Sequence, residues 1–88
     1  MSVLDRAWEL APHVSVRPEA FGALLYDFDT RRLSFLKDPR LVVVVEGLAE
    51  APSARAACAD AGVDDAALPA FERALHRLAE TAMLRERT

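Results

Sequence analysis

The sequence predicts an α+β fold, a three-stranded antiparallel sheet followed by three helices. Three observations carry that prediction. Residues 13–37 hold three short apolar runs separated by polar or turn-forming residues, the pattern of strands. A helix-start signal, Asp38-Pro39, comes directly after them. From there on, apolar residues recur at three- and four-residue spacing, the period of amphipathic helices.

Size and composition set the frame. The chain has 88 residues, the length of a single domain spanning 1–88. At 52% hydrophobic residues it can build a core and is not a disordered tail. A domain this small buries only about 60–65% of its unfolded surface, so a partner can add to its stability. No apolar run reaches about 18 residues, so no membrane span is expected. Met1-Ser-Val-Leu-Asp-Arg6 lacks a basic segment followed by an apolar core, so no secretory signal is expected. Cys58 is the only cysteine and has no partner for a disulfide or a metal site, which fits a reducing cytoplasm.

The elements follow in order. Residues 1–11 mix Val3, Leu4, Trp8 and Leu10 with charges and suggest a loose helical turn or a docking arm. His13 to Arg17 alternates polar and apolar, and Pro18, which lacks an amide donor, is expected to end that strand. Gly22 to Phe28 is the second strand, with Leu24, Tyr26 and Phe28 on one face and Ala23, Leu25 and Asp27 on the other. Asp29-Thr30-Arg31 supplies a turn. Arg32 to Lys37 is the third strand, with Leu33 and Phe35 on one face and Ser34 and Leu36 on the other. Such short connections imply a meander.

Four consecutive valines, 42–45, favour strand on propensity alone. The Asp38 cap, Pro39 and the stripe Leu41, Val44, Val45 and Leu48 favour helix, which is the stronger reading. Ser53 caps an Ala-rich second helix running to Ala61, and Gly62 suits its left-handed end. Asp64 and Asp65 open a long last helix carrying Leu68, Phe71, Leu75, Leu78, Ala82 and Met83, with Pro69 tolerable only in its first turn. The last two helices, joined through Ala61-Gly62-Val63, read as a helix-turn-helix. With the sheet in front, the whole reads as a winged helix-turn-helix.

Little in the chain suggests catalysis. Cys58 sits on an Ala-rich face with no histidine near it and reads as packing. His13 and His76 are far apart and belong to no metal-ligand pattern. The carboxylates read as caps and exposed charges, with no acid/base pair among them. Gly22, Gly47 and Gly62 build no phosphate-cradling loop. No cofactor and no metal is expected.

The fold class raises DNA binding as an alternative, that of a winged-helix transcription factor. A recognition helix reads bases from its first turns. Here those positions are Asp64, Asp65, Ala66, Ala67, Leu68 and Pro69, acidic or too short to reach a base edge. The net charge is −3, and the chain has no Asn or Gln, the side chains that read adenine. Strand addition uses what remains. An edge strand at Arg32–Lys37 would offer backbone groups, including the Leu36 amide, to an incoming peptide. Leu75 and Leu78 would wall a groove beside it, and Arg31, Arg32, Lys37, Arg73 and Arg77 could meet acidic side chains. The bland alternative makes Leu33 and Phe35 core residues and the arginines a solvated face.

Val16-Arg-Pro-Glu-Ala-Phe-Gly-Ala-Leu-Leu-Tyr26, Thr30-Arg-Arg-Leu-Ser-Phe-Leu-Lys-Asp-Pro39 and Ser53-Ala-Arg-Ala-Ala-Cys-Ala-Asp-Ala-Gly-Val63 together resemble the mycofactocin biosynthesis chaperone family. The resemblance covers roughly residues 8–85. More distantly, the chain is similar to the small peptide chaperone of pyrroloquinoline quinone biosynthesis. The resemblance implies a recognition element for ribosomally made, modified peptides, with the valine run in a helix. It implies that the leader of a precursor peptide adds as a strand to Arg32, Leu33, Ser34, Phe35, Leu36 and Lys37. The leader would lie against a helix face of Phe71, Arg73, Leu75, His76 and Leu78. The partner it implies is a radical S-adenosylmethionine maturase with iron–sulfur clusters, which decarboxylates and crosslinks the precursor's C-terminal Val-Tyr end. The chaperone itself would have no chemistry, no cofactor, and no nucleic-acid or membrane partner.

Overall fold

The alternating segment folds as a meander, and the termini close behind it. In the computed structural model, which describes residues 2–87, the elements run β1 (Trp8–Leu10), β2 (Val14–Glu19), β3 (Gly22–Asp27), β4 (Leu33–Leu36), α1 (Pro39–Gly47), α2 (Ala54–Asp60), α3 (Leu68–Glu80) and β5 (Leu84–Glu86). Short 3-10 turns occupy Val3–Asp5 and Leu48–Glu50. The class is α+β, with a three-stranded antiparallel sheet in the order β2-β3-β4 and three helices.

Several boundaries differ from the sequence expectation, each for a physical reason. Pro18 does not end its strand: β2 runs to Glu19, and Pro18 pairs opposite Ala23. β2 is an edge strand, where an imino residue breaks no ladder bond. Arg32 and Lys37 flank β4 and lie outside it. Residues 1–11 hold the expected helical turn at Val3–Asp5, but Trp8–Leu10 is a strand that pairs with β5 in a second, two-stranded sheet, Trp8 opposite Glu86 and Leu10 opposite Leu84. The last helix begins at Leu68, because Asp64 first builds a turn whose carboxylate accepts the Ala67 N–H at 2.9 Å. That helix stops at Glu80: Ala82 turns left-handed at φ 62°, and the Met83 N–H bonds back to the Leu78 carbonyl at 3.0 Å.

The caps work as their residue types predict. The Asp38 carboxylate accepts the Arg40 N–H at 2.9 Å and Pro39 takes a first-turn position, so the valine run is helical. The Arg40 guanidinium and then the Arg40 N–H hold the Asp38 carboxyl below its ordinary value. Ser53 Oγ accepts the Ala56 N–H at 3.1 Å, and Gly62 closes α2 at φ 81°.

One buried cluster joins the sheet, helices and terminal segments. Ala23, Leu25 and Leu36 on the inner sheet face meet Val44 and Val45 of α1, Leu48, Cys58 of α2 and Leu75 of α3, each 2% exposed or less. Burial pushes the Cys58 thiol above its ordinary pKa, which suits packing rather than reactivity. Asp27 is also fully buried, and is not among the exposed carboxylates as expected. It accepts N–H bonds from Asp29 (2.9 Å) and Thr30 (3.1 Å) and so builds the β3–β4 turn.

Candidate functional site

Hydrogen-bond phase decides which backbone groups of the sheet are free. The Asp27 N–H donates to the Arg32 carbonyl at 2.9 Å. With Leu25 opposite Ser34 and Ala23 opposite Leu36, the ladder places the amides and carbonyls of Ser34 and Leu36 toward β3. Leu33 and Phe35 therefore turn theirs outward, and among the described residues nothing pairs with them. The Leu36 amide, expected to receive a peptide, is committed to the protein's own sheet.

The other edge is blunted. The Phe28 N–H donates to the His13 carbonyl at 2.8 Å, which turns Val14, Val16 and Pro18 outward on β2. Val14 gives its N–H to the Ala11 carbonyl at 3.0 Å, and Pro18 has none to give. Proline on an edge is a standard barrier to strand addition. The two edges thus differ in kind, and β4 is the open one.

Behind β4 lies a groove of about 280 Å³. Its floor and near wall are Leu33, Ser34, Phe35 and Leu36; its far wall is Leu41 of α1 with Ala74, Arg77 and Leu78 of α3. Arg77 makes no ion pair among the described residues, and neither do Arg31, Arg32 and Lys37. The opposite, outer face of the sheet is uncovered, apolar along β4 and polar along β2, where Ser15, Arg17 and Glu19 are exposed. Phe35 and Leu33 are 58% and 54% exposed, so they are not core residues. Phe21 lies 5.9 Å from the Phe35 ring, and Phe28 stands edge-on to Tyr26 at 4.8 Å.

The expected helix residues divide. Leu78 lines the groove. Phe71 and Leu75 are buried, at 6% and 0% exposed. Phe71 stacks beneath the Arg40 guanidinium, 5.3 Å from its ring centre. Arg73 and His76 lie on the far flank of α3, lining a separate depression with Ser2, Val3 and Glu72. His76 also stands 3.7 Å from Glu80. The helix face that fronts β4 is instead Ala74, Arg77 and Leu78. The signal for it was the i, i+3, i+4 spacing of those three residues, masked in the sequence by the stronger apolar stripe beside it. Leu41 was legible only as a core residue.

Comparisons with known proteins complete the description. The model of the Peptide chaperone MftB family matches residues 7–85. The chain is 54% identical to the peptide chaperone MftB of Mycobacterium tuberculosis over 80 residues, 91% of this chain and 73% of the relative. It is 52% identical to that of Mycobacterium ulcerans over the same shares. Identity to the protein of that name in Mycolicibacterium smegmatis is 50%, over 91% of this chain and 78% of the relative. No solved structure matches. No helix among the described residues is long and apolar enough to cross a membrane.

Proposed function

Because the chain belongs to the Peptide chaperone MftB family, we propose that it is a non-catalytic chaperone of mycofactocin biosynthesis that captures the precursor's leader as a strand on β4. The α2–α3 pair and the β2–β4 sheet are read as a winged helix-turn-helix turned to peptide use. The carrying observation is the outward amides of Leu33 and Phe35 beside an apolar groove, on the one sheet edge that Pro18 does not blunt. Main-chain pairing supplies affinity in such capture, and pockets for alternate side chains supply selectivity. The domain then presents the precursor to a radical S-adenosylmethionine maturase, which does the chemistry.

Duplex binding is disfavoured on charge and reach. Asp64 and Asp65 precede α3, and its first turn carries Leu68, Pro69 and Ala70. Titration of a fluorescent leader peptide and of a labelled duplex at near-physiological salt separates the two. Saturable leader binding with no duplex response is expected. Tight duplex binding with no response to leader would overturn the chaperone reading.

A further inference from the structure

The two sides of β4 differ in chemistry, and a strand laid along it must match both. Successive side chains of any added strand point to opposite faces of the sheet. Those level with Leu33 and Phe35 emerge on the outer face, beside the Phe35 ring and the Leu33 side chain, each more than half exposed. Those level with Ser34 and Leu36 enter the groove. Its lining side chains are apolar apart from Ser34 and one charged residue, Arg77. The groove, about 280 Å³, has room for more than one side chain, so the charge of Arg77 and not the volume singles out one position in it.

Resting on the capture reading, we infer that the accepted segment has a binary pattern. Bulky apolar residues alternate on the outer side, and between them one carboxylate enters the groove to pair with Arg77. An exposed guanidinium meeting a carboxylate in a partly dry groove selects geometry as well as charge. A second copy of this chain is the poorer occupant. Symmetric pairing of two β4 strands would bring Ser34 and Leu36 to the groove and no carboxylate opposite Arg77.

Charge exchange tests the pairing. Arg77 is on the surface, so Arg77→Glu leaves the core intact. Leader peptides with each Asp or Glu changed singly to Lys are titrated against both proteins. Arg77→Glu is expected to weaken binding of the natural leader by about fivefold or more. One Lys-substituted leader should bind poorly to the unaltered protein and recover on Arg77→Glu. In that leader, residues flanking the exchanged carboxylate should be large and apolar. Equal affinity of Arg77→Glu for the natural leader, or no leader that recovers, overturns the inference while leaving strand capture standing. If the unaltered protein binds no leader at all, the capture reading itself falls. A stable dimer that leader does not dissociate would show a second copy on β4 and would overturn both.

Discussion

Asp27 shows how one residue sets the geometry of the open edge. Its burial alone would raise the carboxyl's pKa, but N–H bonds from Thr30 and Asp29, the Thr30 hydroxyl and nearby His13 together hold it below the ordinary carboxylate range. A lowered folded-state value means the stability it contributes is fully present above the unfolded value. That stability is lost as pH falls through the folded one. Asp27→Asn is therefore predicted to flatten the acid limb of a pH-dependent unfolding curve below about pH 4 and to loosen the β3–β4 turn. An unchanged acid limb would show that the carboxylate does not carry the turn. Gly22 is the second such position. It sits at φ 152°, and an added Cβ would lie 1.9 Å from the Leu36 carbonyl oxygen. Gly22→Ala should cost at least about 2 kcal/mol, lowering Tm by roughly 10 °C, because β4 must shift. Neither role was legible in advance. Alternation puts Asp27 on one face with Ala23 and Leu25, yet its burial depends on a turn that the sequence does not spell out.

At the scale of elements, the two edge strands make opposite use of proline. Pro18 occupies an outward position on β2 and disrupts no internal bond. Phe35 is the equivalent position on β4, whereas Leu36 faces inward. Phe35→Pro is thus predicted to fold and to lose leader affinity by about tenfold, or ~1.4 kcal/mol. Leu36→Pro should instead destabilise the sheet itself. The pair separates binding from folding, and circular dichroism with leader titration reads both. Equal leader binding by a folded Phe35→Pro would place the peptide elsewhere. The meander and α1 were readable because alternation, the Asp38 cap and the Leu41–Leu48 stripe each give a local signal. β1 and β5 were not, since three-residue strands have no period to detect and pair across nearly the whole chain. The end of α3 was equally hidden. Its apolar spacing continues through Met83, and only the left-handed Ala82 stops it. Ala82→Gly should stabilise by about 1 kcal/mol, seen as a higher Tm.

Across the whole molecule, the terminal segments fasten one another while the meander is left with one free edge. The Arg87 guanidinium donates to the carbonyls of Ala49 and Ala51, Arg6 pairs with Glu86, and Met83 and Leu84 are buried in the shared core. Arg87→Ala should cost about 1–2 kcal/mol of stability and leave leader affinity unchanged, because Arg87 does not line the groove. A matching loss of affinity would mean the groove depends on the terminal clip. The strand side of the groove was legible because Leu33–Leu36 is contiguous in sequence. The helix side of the groove was not: which flank of α3 faces β4 depends on how that helix rolls against the core. Arg73 and Arg77 look alike in sequence, yet only Arg77 fronts the groove.

Hydrogen exchange of individual amides, with and without leader peptide, tests strand capture most directly. Leu33 and Phe35 are predicted to exchange fast in the free protein and to become strongly protected when leader is added, while the outward Val16 amide of β2 stays unchanged. Protection appearing along β2 or the first turn of α3, with Leu33 and Phe35 still exchanging freely, would contradict it.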